Sequence, residues 1–445
     1  MSQKNVVLFI NSLHAPTFSA LRAHEAKTGK SLEAVVIVDR KIQKTIHAIN
    51  NQQHLYENDA VIVPADFGSV ESIRAAIRPY EGHLYAVTSQ YENSITEFKK
   101  IIPHLPYLQT PTETSLDWST DKKLMRQAFN AHDTSLSPAS MHVQDTSIDT
   151  IAAVERDIQY PMIVKPSGLE RSLLVSVVNN RTELISTLNR TFKFIRNAYK
   201  NRLKRIEPIV LVEELMQGDM FSVDSYVSND GTCYHAPLVK VVTGRQMGFE
   251  DFFAYLQMSP AGISPAEEKQ ALATAEQACK ALGLRSITAH TEMMKTPKGW
   301  KIIEVGPRIG GYRHELYTLS HGMNHIVNDI VNRAGEMPYI PAQPKQHAAI
   351  FKTYAREEGT LEYIQGLDAI RKLPSYITMK LPFNKGDMLK FAQNDGDAPI
   401  EVTLCHPSAR QLHADIATLQ ESIQIHVIPP NDITPLGSHR KKALH

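Results

Sequence analysis

The chain has 445 residues, 42% of them hydrophobic, enough for roughly two or three globular domains with cores of their own. Lys and Arg total 48 against 47 Asp and Glu, a formal charge of +1, so no global field favours nucleic acid or an anionic membrane, and neither is expected as a partner. Three cysteines (Cys233, Cys279, Cys405) without CxxC spacing argue against a disulfide framework and a structural zinc site. No apolar run reaches membrane-spanning length and the opening residues lack a leader-peptide pattern, so a cytoplasmic location is expected.

Short β-branched runs at 6–10, 34–38, 60–63 and 84–87 alternate with segments rich in helix formers, the pattern of a doubly wound parallel sheet. The first run is not followed by GxGxxG, so no dinucleotide site is expected there. Pro103, Pro106 and Pro111 mark a boundary. Asp121 then stands where it would cap a helix that begins at Lys122 and carries Met125, Arg126 and Phe129.

The run YPMIVKP, 160–166, is an apolar strand that delivers Lys165, followed by SGLERS (167–172) and a second strand over 173–178. A lysine entering a small loop can meet phosphate oxygens with its point charge while loop amides cover them. A strand over 209–212 runs into Glu213, Glu214, Leu215, Met216, Gln217 and Gly218, a turn whose backbone groups could read an adenine edge. The segment 239–256 mixes glycine, charge and aromatics as an ordered loop or a core crossing would, and 265–282 reads as an amphipathic helix.

SITAHTEMM, 286–294, is a strand with His290 and Glu292 on one face. Across the turn Thr296, Pro297, Lys298 and Gly299, the run 300–305 pairs with it and should bring Glu292 and Glu304 together. Two facing carboxylates repel unless a cation lies between them, and magnesium bound to nucleotide phosphates commonly uses one or two protein carboxylates. Arg308 follows in IEVGPRIGG (303–311), where its fork of donors suits phosphoryl oxygens and the glycines let the backbone come close. His314 and His321 lack the spacing of a zinc helix. Beyond Pro338 and Pro341, β-like runs at 348–353 and 376–381 with a helix at 413–423 predict a small α+β appendage, and the basic tail 439–442 a frayed terminus.

This ordered set of a lysine helix, a lysine strand, a Glu-Glu turn and paired carboxylates resembles the ATP-grasp family of carboxylate-amine ligases, most of all the L-amino-acid ligases, over residues 121–331. The resemblance implies α/β and α+β architecture: a doubly wound parallel-sheet domain over 1–111, the ATP-grasp domain over 112–338, and a small α+β domain over 339–445. It implies ATP and magnesium, two ions in number with manganese as a substitute. It further implies an ADP-forming reaction in which a carboxylate becomes an acyl phosphate and an amine displaces phosphate. Carboxylation or formylation as in biotin and purine chemistry is the alternative within the family, and a non-catalytic nucleotide-binding module the alternative outside it. The partners would be small carboxylates and amines, and a homodimer is the ordinary prior.

Residue by residue, the resemblance assigns Lys122 and Lys165 to ATP phosphates, with Gly168 and Ser172 in the loop that covers them. It assigns Glu213, Glu214 and Met216 to adenine, and Glu292 and Glu304 to magnesium. Arg308, together with Lys165, would stabilise the transferred phosphoryl group, while His290 and Arg313 would face substrate. Many relatives bind ribose through a glutamate where this chain has Met220, leaving Asp219 or Asp224 as substitutes, and many carry asparagine where this chain has Gly306.

Overall fold

The structure, a computed structural model, describes residues 5–41, 60–169, 174–201, 207–249, 251–390 and 396–429. Two compact units make it up: Met1–Leu169, Leu174–Val241 and Met258–Gln346 form the first, and Glu170–Leu173, Val242–Gln257 and His347–His445 the second. Among the described residues, no helix is long and apolar enough to cross a membrane.

The first unit opens with a parallel sheet ordered Ala60–Ala65, Glu33–Asp39, Val6–Ile10, Leu84–Thr88. Its central strand, VVLFI, is buried along its whole length. Val6, Leu8 and Ile10 enter one hydrophobic cluster while Val7 and Phe9 enter another. A strand with apolar residues at every position must be covered on both faces, and this one is. The four runs read from the sequence are these four strands.

An antiparallel sheet follows, ordered Ser140–Val143, Val210–Glu214, Met162–Pro166, Ser176–Val178. Beside it lies helix Lys122–His132, whose cap is the expected one: the Asp121 carboxylate accepts from the Lys123 amide at 2.8 Å.

The third sheet of this unit carries strands Gly299–Gly306, Ile287–Thr296 and Asp219–Val227 side by side and antiparallel. Helix Pro265–Ala281, started by a capping box between Ser264 and Glu267, buries Ala271, Ala275, Ala278 and Cys279 in the same core as Val223, Ile302 and Val305. Helix His325–Arg333 is capped by the Asn324 side chain.

In the second unit, strands His347–Thr353, Ile400–His406 and Tyr376–Lys380 are antiparallel neighbours, with helix Ala409–Ser422. Met388–Leu389, Gly359–Gln365 and Gln424–Ile428 form a smaller sheet. The strands at 359–365, 400–406 and 424–428 are not among those read from the sequence. Two of them, GTLEYIQ and QIHVI, are partly exposed and mix polar with apolar residues, which weakens their β signature. The aromatic run near 249–255 packs on itself and on Tyr354, with the Phe249 and Tyr255 rings 5.1 Å apart.

Candidate active site

The hairpin Ile287–Thr296 and Gly299–Gly306 sets the geometry. Its register places Glu292 directly opposite Glu304, with a bulge between Glu292 and Met293. The two carboxylates stand on one sheet face, 29% and 28% exposed. That is the pairing the alternation of the two runs predicts.

Lys122, at the start of its helix, reaches Glu304 Oε2 at 2.8 Å and donates to the Leu169 carbonyl at 3.2 Å. Burial works against its charge, but Glu304 and Glu92 outweigh burial and hold the ammonium above its ordinary pKa. Burial likewise acts to raise Glu304, yet Lys122, Lys165 and Arg308 hold it at about 2. A cation therefore already faces this carboxylate from the helix side.

Lys165 sits deeper, 7% exposed, with Nζ 2.6 Å from Glu213 Oε2. The same carboxylate takes both nitrogens of a fork from Arg126, at 2.9 and 3.2 Å, and Arg126 also donates to the Ile303 carbonyl at 2.8 Å. One carboxylate thus serves two cations. Burial first and Arg126 next push Lys165 down to about 8 in spite of Glu213, while Glu213, with burial opposing, is held at about 2 by Arg126 and Lys165. The trio carries one positive charge in excess, an arrangement that a phosphate oxygen would complete.

The turn expected to line adenine divides in two. Glu213 is 1% exposed and its carboxylate is committed to Arg126 and Lys165. Glu214 is half-buried and meets Lys298 at 2.6 Å, and Met216 is half-buried beyond the strand end. The Gly168 amide donates to the Tyr199 hydroxyl at 2.8 Å. Ser172 lies outside the described residues, as does the basic tail 439–442.

Arg308 points back toward the parallel sheet and donates to Glu92 Oε2 at 2.9 Å and to the Ile309 carbonyl at 3.1 Å. Burial opposes its charge, but Glu92, Glu304 and Glu292 keep its pKa above the ordinary value. Glu92 lies in the turn after strand Leu84–Thr88, the carboxyl end of a parallel sheet where ligands commonly bind. It was not among the residues singled out from the sequence, because nothing in TSQYENS marks one carboxylate in a polar turn.

His290 and Arg313, expected to face substrate, are both buried, at 5% and 3% exposure. His290 stands between Asp224, 2.6 Å from Nδ1, and Glu292, 3.5 Å from Nε2. Arg313 donates to Ser222 Oγ at 2.5 Å and to the Gly311 carbonyl at 3.1 Å. Asp224 is fully buried among protein partners, which removes it as a ribose contact, while Asp219 stays exposed 3.7 Å from Lys240. Gly306 has room for a side chain, since an added Cβ would meet Arg308 and Glu92 only at 3.6 Å.

Among the described residues, no group of three or more His, Cys, Asp and Glu side chains is arranged to hold a metal by itself. A facing pair of carboxylates with cations beside it fits a hard divalent ion that takes the rest of its shell from phosphate and water.

Residues 158–315 match the ATP-grasp domain. The chain is 24% identical over 351 residues to the uncharacterized protein y4rH of Sinorhizobium fredii, 78% of this chain and 69% of that one. It is 22% identical over 200 residues to the alanine–anticapsin ligase of Bacillus amyloliquefaciens, spanning 43% of this chain and less than half, 42%, of that relative. Its fold matches that of the L-amino acid ligase from Bacillus licheniformis with a TM-score of 0.74 at 17% identity, over 96% of this chain and 100% of the other. The domain match at the centre of the chain and that fold over nearly its whole length agree: residues 158–315 form an ATP-grasp domain, within a chain that has the fold of that neighbour.

Proposed function

We propose that the protein is an ATP-dependent ligase that joins a small carboxylate to an amine as an amide, through an acyl phosphate, releasing ADP and phosphate. The observation that carries this reading is the Glu292–Glu304 register, with Lys122 2.8 Å from Glu304. It gathers two carboxylates and a lysine at one end of a hairpin whose continuing chain supplies Arg308.

Lys122 and Lys165 would bind the phosphates, Glu292 and Glu304 would hold magnesium, and the turn 213–216 would border the base. Magnesium, when bound there, supplies charge neutralisation at the phosphates. The excess positive charge around Glu213 gives Lys165 a pull on phosphate oxygen that an isolated, fully paired lysine would lack. Arg308, fixed by Glu92, would neutralise charge as the substrate carboxylate oxygen bonds to the γ-phosphorus and ADP departs. The amine nitrogen then bonds to the acyl carbon, phosphate leaves with the bonding electron pair, and the nitrogen sheds its proton to solvent. Positioning and charge supply most of the rate, so no nucleophilic side chain is required.

In this reading residues 1–111 contribute Glu92, residues 112–338 hold the nucleotide, residues 339–445 form a separate appendage, and the setting is cytoplasmic. The experiment is ADP release from purified protein with pooled amino acids, followed by mass spectrometry of the products. Release that needs both a carboxylate and an amine, with a mass equal to their sum less water, supports ligation. Release that needs bicarbonate or formate instead overturns it.

A further inference from the structure

Asp224 lies within strand Asp219–Val227 and is wholly buried. Groups from three different elements converge on it. His290 Nδ1, on the next strand, lies 2.6 Å from Oδ1. The Gly310 amide, in the glycine pair after Arg308, donates to Oδ2 at 2.7 Å, and His325 Nε2, at the start of helix His325–Arg333, lies 2.7 Å from the same oxygen. A carboxylate removed from water needs such partners to remain ionised. They account for its survival in the core, not for what the far side of the imidazole does.

That far side faces Glu292. His290 and Asp224 are cross-strand neighbours in register, so pairing itself fixes one end of the ring, and Nε2 at the other end lies 3.5 Å from Glu292 Oε1. Gly310 makes room for the ring: a Cβ there would lie 2.5 Å from His290 Nδ1 and 2.6 Å from Arg313 Cγ. A side chain at position 310 would collide with the ring, and a ring displaced along the strand would leave Asp224. The half-buried Glu292 carboxylate is thereby tied, through a buried ring, to the fully buried Asp224 of the same sheet.

We infer that Asp224 and His290 are positioning residues which, through the imidazole, set the orientation of the Glu292 carboxylate toward a nucleotide-bound divalent cation. This rests on the reading of Glu292 as a cation ligand and adds to it the residues that aim it. Partners of this kind behind a metal ligand typically change metal affinity about 10–100-fold when removed. His325 supplies the contrast, because it meets Oδ2 of Asp224 while His290 meets Oδ1.

The test uses the full chain and a non-hydrolysable ATP analogue, with binding followed by calorimetry across a series of magnesium concentrations. Asp224→Asn and His290→Gln should each raise the magnesium concentration for half-saturation about tenfold or more. Analogue affinity at saturating magnesium should stay within about threefold of wild type. His325→Gln should lower the melting temperature without moving the magnesium requirement. If Asp224→Asn fails to fold, His290→Gln alone decides. A folded His290→Gln with the wild-type magnesium requirement overturns the inference, and so does a His325→Gln shift as large as that of His290→Gln. The readout is binding, not ligation. Wild-type protein that binds magnesium and analogue yet makes no amide therefore sinks the proposed function alone, while the absence of magnesium-dependent binding sinks both.

Discussion

Lys165 and Glu213 lie 2.6 Å apart with almost no access to water, and Arg126 claims the same carboxylate. Burial and Arg126 leave Lys165 at about 8, so it begins to lose its charge just above neutrality. The value of kcat/KM for ATP, which reports the free enzyme, should fall as pH rises through about 8. Stability should move the other way. The unfolded lysine holds its proton to about 10.4, so between these values the unfolded chain binds more protons and the contribution of Lys165 to stability grows with pH. Parallel measurements of ATP kinetics and melting temperature from pH 7 to about 10 check both signs; an alkaline limb absent from kcat/KM would count against a phosphate role for Lys165.

Glu213→Gln leaves two buried cations without their anion. Removing one member of a buried ion network commonly costs about 3–5 kcal/mol, and a loss of that order is expected in chemical denaturation. The alkaline limb should shift to lower pH, since nothing then offsets the burial of Lys165. The wild-type contribution of Glu213, present above its unfolded pKa near 4.5, should fade as pH drops toward about 2. The variant should lack that acid-dependent component in its melting curve.

Glu304→Gln keeps the shape of the site and removes a charge that Lys122 meets at 2.8 Å. Turnover should fall by at least about 10²–10³, the scale of a lost preorganised electrostatic group. Full turnover in steady-state ADP release would remove Glu304 from the proposed cation site.

Arg308→Lys preserves charge but loses the planar fork that reaches Glu92 and the Ile309 carbonyl together. A fall in kcat of about 10²–10³ is expected, with the KM for ATP changed little, because the arginine is assigned to the transferred group and not to nucleotide binding. A rise in KM with kcat intact would reverse that assignment.

Two of the glycines after Glu304, Gly306 and Gly310, should respond differently to alanine. At Gly306 the new methyl has ordinary contacts at 3.6 Å, and the change should stay within about 0.5 kcal/mol. At Gly310 it would strike His290 at 2.5 Å and Arg313 at 2.6 Å, so activity and melting temperature should both drop. Equal tolerance at both positions would mean that the loop is looser than these distances require.

What could be read from the sequence follows what local chemistry specifies. The hairpin was legible because alternating burial, a Gly299 turn and two acidic positions fix its register within twenty residues. The Asp121 cap was legible because the orphan amides of a helix start need a short acceptor. Arg126 meeting Glu213 and Arg308 meeting Glu92 were not, since these contacts span 87 and 216 positions and depend on how whole sheets come together. Asp224 looked like a polar residue available to ribose, and only the surrounding strands and helix show it enclosed.

The contact between Arg308 and Glu92 bears on where this chain can be cut or recombined. Residues 158–315 match the domain model, yet Glu92, Lys122 and Arg126 all precede them. A protein trimmed to the matched segment would leave Glu213 buried without its guanidinium and Arg308 without its anchor. Grafting that segment into another scaffold should therefore fail unless residues 89–132 travel with it. Conversely, exchanging the turn around Glu92 offers a way to alter what meets Arg308 while the lysines and the hairpin stay as they are.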